Sequence, residues 1–171
     1  MNKKQTEPEI KELGKFFSTI QGESDRGTVL LVASILDEWL FEILKSYLIQ
    51  DKVSEDLLSG FAAPLGTFSS RIKACYSLSL IEKEEFDLIE VIRKIRNEFG
   101  HNWQDISFKS PKIKGQLDKL SWYGPEDIDE SSRTDRSKFD FAATNILVNL
   151  IWRKRLVAKE RIQMRIWPNK S

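Results

Sequence analysis

The chain has 171 residues, and 27 Lys and Arg against 26 Asp and Glu leave a formal charge of only +1. That length suits one domain with room for a proper core, and 31% charged beside 40% hydrophobic residues excludes a disordered or fibrous chain. Eight Gly and five Pro are too few for the frequent turns of an all-β protein.

In chain order, Ile10, Leu13, Phe17 and Ile20 fall at helical spacing and predict a first helix over 7–21. Ser24 or Asp25 can cap a long second helix reaching about Ile49. From Val29 to Leu36 it is apolar nearly all round, as in the central helix of a bundle, and then narrows to Trp39, Leu40, Ile43, Leu44 and Tyr47. Asp37, Glu38, Glu42 and Lys45 interrupt this stretch, so it falls short of the roughly 20 apolar residues of a membrane span, and no apolar leader follows Met1. A short helix is expected near Ser54–Leu58. Thr67 then caps a third main helix, Phe68 to Leu78, with Phe68, Ile72, Cys75 and Tyr76 inward.

After a tight joint at 79–81, the clearest amphipathic helix runs from about Glu82 to Phe99, with Leu88, Val91, Ile92, Ile95 and Phe99 inside one arc of about 100°. Gly100 is placed to end it in a left-handed conformation. Ser110-Pro111 starts a short helix to about Leu120, residues 124–137 read as an exposed loop, and a last helix spans about 137–166, ahead of Trp167-Pro168. The expected architecture is all-α: one antiparallel multi-helix bundle over 1–171, with a core at about 7–121 and a long basic C-terminal helix.

Cys75, the single cysteine, excludes an internal disulfide and a thiolate zinc site and fits a reducing cytoplasm. His101 is the single histidine, so a metal site would have to be built of carboxylates. Asp37, Glu38 and Glu42 lack a second carboxylate-rich helix to complete one, and no metal or cofactor is expected.

The segment Ile92-Arg-Lys-Ile-Arg-Asn-Glu-Phe-Gly-His101 holds Arg96 and His101 with four residues between them, and Asn97 beside the arginine. It is similar to the R-x4–6-H motif of HEPN domains, small helical proteins that often act as metal-independent ribonucleases. Such chemistry needs a base for the 2′-hydroxyl, a cation for the phosphate and an acid for the leaving oxygen. One histidine per chain then requires a dimer. On a continuous helix Arg96 and His101 diverge by about 140°, so they converge only if the chain turns at Gly100. The alternative is structural: Arg96 bonds nearby carboxylates or carbonyls, and His101 caps the helix C-terminus.

Three blocks in order carry a wider resemblance: Arg26-Gly-Thr-Val-Leu-Leu-Val-Ala-Ser-Ile-Leu-Asp-Glu-Trp-Leu40, Ala63-Pro-Leu-Gly-Thr-Phe-Ser-Ser-Arg-Ile-Lys-Ala-Cys-Tyr-Ser-Leu78, and Ile92 to His101. Together they resemble the mannitol operon repressor family, across about residues 14–108. The resemblance implies an all-helical, HEPN-like fold, a cytoplasmic transcriptional regulator rather than an enzyme, no recognised DNA-binding module, and action as a homodimer or through a regulatory protein partner. The alternative is a metal-independent endoribonuclease using Arg96, Asn97 and His101.

Two basic groups are candidate binding residues. Arg71 and Lys73 approach Arg93 and Arg96 if their helices pair, as an anion patch or as structural partners of Glu38 or Glu42. From Trp152 to Ser171, Arg153, Lys154, Arg155, Lys159, Arg161, Arg165 and Lys170 face Glu160 alone, a local charge of +6 that leaves −5 for residues 1–151. Such a segment can hold nucleic-acid phosphate or an acidic partner, or serve as a solvated helix end. A helix-turn-helix is rejected, because the helix after the joint opens with Glu82, Glu84, Glu85 and Asp87, which DNA phosphates repel.

Overall fold

Local side chains set most helix starts. In the computed structural model, which describes residues 7–101, 106–120 and 133–168, α1 (Pro8–Ile20) opens with a first-turn proline. The Ser24 hydroxyl accepts from Gly27 N to start α2 (Asp25–Tyr47), and the Asp51 carboxylate accepts from Ser54 N to start α3 (Lys52–Leu58). Thr67 and Ser70 form a reciprocal capping box at α4 (Phe68–Ser77), which satisfies amide donors that lack intrahelical partners. After these come α5 (Lys83–His101), α6 (Pro111–Leu117), α7 (Asp135–Leu150) and α8 (Arg153–Val157), with a 3₁₀ turn at Ala158–Glu160. The described residues form no strand.

The core is organised around α2. Val29, Val32, Leu36, Leu40 and Leu44 are fully buried at helical spacing, and this helix packs against α1, α3, α4, α5, α7 and α8. The expected arc of α5 is buried from Leu88 to Phe99, joined by Ile89. Phe99, Phe108 and Phe139 stack at centroid distances of 5.5 and 5.2 Å, tying α5, the segment before α6, and α7 into one core. In α4, Ile72 and Cys75 point inward as expected. Tyr76 does not: it lies half in solvent, with its ring 4.5 Å from that of Phe86. In α1, Leu13 and Ile20 are buried while Ile10 is exposed, because α1 covers only one edge of α2.

Two expectations about helix ends are overturned. Gly100 does not end α5; it keeps a helical conformation, and the helix continues through His101. The Phe99 carbonyl takes its donor from the Arg26 guanidinium at 2.7 Å, so this helix end needs no left-handed turn. The long basic C-terminal helix is also absent. α7 stops at Leu150, α8 lasts five residues, and 161–168 is not helical.

The reason for the break is tertiary. Redirecting the chain at Trp152 brings Arg153 onto Glu85 and buries Val157. Ile162 N then donates to Tyr47 O at 2.8 Å, and the Arg161 guanidinium donates to Leu48 O at 3.4 Å. Both acceptors are carbonyls at the C-terminal end of α2, where helical partners run out. The loop expected over 124–137 lies mostly outside the described residues, and α7 begins two residues before its end.

Candidate functional site

On α5, Arg96 and His101 are both exposed, with Asn97 half-buried between them in sequence. Arg96 donates to the Asn97 side-chain oxygen at 3.2 Å. Since α5 is unbroken through His101, the guanidinium and the imidazole leave the helix about 140° apart. Within one chain they do not converge on a common phosphate position.

The first basic group is drawn into internal bonds. Arg71 is largely buried; its guanidinium meets Asp37 at 2.7 Å, donates to Leu65 O at 2.9 Å and Leu58 O at 3.3 Å, and lies 5.0 Å from the Phe41 ring centroid. Its carboxylate partner is thus Asp37, not Glu38 or Glu42. Arg93 forms a two-pronged bond with Glu90 at 2.8 and 2.9 Å, one turn back on the same helix. That bond holds the Glu90 carboxyl below its usual range and raises Arg93. Lys73 is exposed, and its charge adds to the lowering of Glu90.

The second basic group divides in two. Arg153 donates to both Glu85 oxygens at 2.7 and 3.0 Å and to Leu80 O at 2.8 Å, while Glu85, with a side chain 5% exposed, also accepts from Glu82 N. Lys154 pairs with Glu42, and Arg155 bridges Glu7 and Glu9 at the start of α1. Beyond them Lys159 and Arg165 are exposed, Arg161 is half-buried at the end of α2, and Met164, Ile166 and Trp167 are largely in solvent. The +6 segment is therefore half structural fastening and half exposed arm.

One network has no counterpart among the sequence-derived candidates. Arg136 on α7 donates to Asp140 at 2.9 Å, Asp25 at 3.2 Å, the Thr28 hydroxyl, and the carbonyls of Ile20 and Glu23. Asp25 in turn accepts from Phe108 N. One guanidinium thereby joins the end of α1, the start of α2 and α7. Burial pushes the Asp140 carboxyl up, against the pull of Arg136. Periodicity carries the signal for both this residue and Glu85. Arg136 stands three and seven residues before Phe139 and Ala143, and Glu85 three, four and seven before Leu88, Ile89 and Ile92. A charge on an apolar stripe marks a buried ion pair.

Among the described residues no three His, Cys, Asp or Glu side chains gather where a metal ion could sit, and no helix is long and apolar enough to cross a membrane. Burial pushes the Cys75 thiol up to about 12, which leaves it unreactive at neutral pH.

Comparison with known proteins places this geometry. Mannitol operon repressors from two strains of Escherichia coli are each 33% identical over 66 residues, which is 39% of this chain and 33% of theirs, so the match spans a third of those relatives' length. The solved MtlR-HPr complex from Escherichia coli contains a chain of the same fold, with a TM-score of 0.53 over 85% of this chain and 98% of that one, at 17% identity. The family description of the mannitol repressor matches residues 23–162, from the cap of α2 to the anchor of the C-terminal arm. The chain belongs to the mannitol repressor family.

Proposed function

We propose that the chain is a transcriptional regulator of the cytoplasm that works by contact with a partner protein rather than by reading DNA with a helix. The observation that carries the reading is the family match across residues 23–162. The relative of like fold was solved in complex with HPr, and a protein of that kind is the first partner to test. The helices here supply little for DNA. α5 opens with Glu84, Glu85 and Asp87, and Arg153, Lys154 and Arg155 are engaged with carboxylates of the same chain.

Calorimetric titration of the full chain with HPr from its own organism tests the proposal, beside duplex DNA over a salt series. Saturable binding to HPr is expected, with DNA binding weak, steeply salt-dependent and reduced by Lys159→Gln, Arg161→Gln and Arg165→Gln together. Tight, sequence-selective DNA binding without any HPr binding would overturn it.

The ribonuclease reading on Arg96, Asn97 and His101 has less support, since the continuous helix separates the two charged groups. RNA cleaved in EDTA by the wild type and spared by His101→Ala would restore it.

A further inference from the structure

Phe61 is fully exposed, at 106% relative exposure, yet its loop is tied down. Between α3 and α4, Leu65 N donates to Leu57 O at 2.8 Å and Gly66 N to Ala63 O at 2.9 Å. Arg71 clamps both ends through the carbonyls of Leu58 and Leu65. Gly60 and Ala62 hold φ values of +112° and +59°, and alanine seldom adopts such a value. The tied backbone thus fixes where Phe61 leaves the loop, and its ring stands in water. A protruding aromatic side chain on a preorganised backbone is the kind of anchor that dominates protein interfaces.

Beside the ring lies its complement. A cavity of about 400 Å³ opens between the end of α2 and α3, walled by Phe41, Leu48, Ile49 and Leu58, and closed on one side by Ser59 and Gly60, the residues that precede Phe61. Knob and hole therefore share one face, the arrangement a two-fold interface requires, since each copy must offer both. The charges around the cavity are balanced and interspersed: Lys45, Lys52 and Arg161 against Asp51, Glu55 and Asp56. Two such faces meet without net repulsion, and each cation can find a carboxylate of the other copy. The Lys52–Asp56 pair, with side chains 78% and 64% exposed, is free to exchange partners. Arg161, at the rim, is followed in the chain by the exposed side chains of Met164, Ile166 and Trp167.

We propose that this face is a homodimer interface in which Phe61 of each copy enters the Phe41–Leu48–Ile49–Leu58 cavity of the other. The occupant is a second copy of this chain. The proposal stands apart from the regulator reading, because failure to bind HPr would leave it intact.

Sedimentation equilibrium of the full chain over a concentration series is the test. The wild type should show a monomer–dimer equilibrium. Phe61→Ala should weaken it by about 30-fold or more, and Phe61→Asp should leave monomer alone, with far-UV circular dichroism unchanged. Ser59→Trp, which fills the cavity from its mouth, should weaken the dimer in the same way. Mixed Phe61→Cys and Ile49→Cys chains should cross-link to each other on oxidation, since Cys75 is buried. A wild type monomeric throughout, or a dimer indifferent to Phe61→Asp and Ser59→Trp, overturns the proposal. So does binding of HPr that requires Phe61 in a chain that never dimerises.

Discussion

Arg153 and Arg96 both sit in basic stretches of similar appearance, and the structure puts them to opposite uses. Arg153 lies with its side chain 18% exposed against Glu85 and the Leu80 carbonyl, and fastens the C-terminal segment to the start of α5. Arg96, some three helical turns along α5, is exposed and bonded to Asn97. The difference teaches that a cation's role here follows from what faces it across the fold rather than from its neighbours in the chain. Arg71, Arg136 and Arg155, which also dock on remote carboxylates, each lie within 6 Å of an aromatic ring centroid, whereas Arg96 is exposed.

The sharpest way to break this contrast is to remove the fastening. Arg153→Met should cost about 3–5 kcal/mol, because it leaves a buried carboxylate without its counter-ion. For a chain of this length that is a fall in Tm of roughly 10 °C, and Arg153→Met with Glu85→Gln together should recover most of it. A loss below about 0.5 kcal/mol would place Arg153 in the same class as an ordinary surface residue. Arg71→Met should cost less, about 1–3 kcal/mol for hydrogen bonds from a charged group. Its signature is local: faster amide exchange at Ala63, Leu65 and Gly66, with α7 unaffected. Uniformly faster exchange would mean that Arg71 holds more than its loop.

The acidic limb of the stability profile sharpens the comparison further. Asp140 has its carboxyl raised by burial, so its contribution is complete below the ordinary value near pH 4 and is lost as pH rises through the raised one. Glu90, lowered by Arg93, contributes above the ordinary carboxylate range and loses that contribution as pH falls through its lowered value. Urea midpoints between pH 3 and 7 should therefore respond in opposite senses. Asp140→Asn should flatten a decline above about pH 4, and Glu90→Gln a decline below it. Parallel changes would remove the distinction between a carboxylate governed by burial and one governed by its partner.

The smallest effect concerns the end of α5. A Cβ added at Gly100 meets nothing within 4 Å, and the residue is helical. Gly100→Ala should therefore stabilise the chain by about 0.5–1 kcal/mol. Destabilisation of similar size would mean a left-handed Gly100 and an α5 that ends before His101, reopening the convergence of Arg96 with His101.

Legibility follows range. Ser24 and Thr67 reach donors three residues away, so their caps can be read from the sequence, as can the buried stripes of α2 and α5. The same holds for the family resemblance, carried by ordered local blocks. Arg71 could be read as a structural ion-pair residue, but its partner Asp37 lies 34 residues back and could not be distinguished from Glu38 or Glu42. Phe61 gives no periodic signal at all, because its exposure depends on how Arg71 ties the loop.

What the sequence determined by itself is the helical class, the central place of α2, the amphipathic α5 and the concentration of positive charge after Trp152. Each rests on side chains acting within a few turns of their own helix. The tertiary structure alone decided that α7 stops at Leu150, that Arg153 belongs to Glu85 68 residues away, and that Ile162 closes the end of α2. Helix propensity is worth only tenths of a kcal/mol per residue, and the burial of Val157 together with donors for the terminal carbonyls of α2 outweighs it.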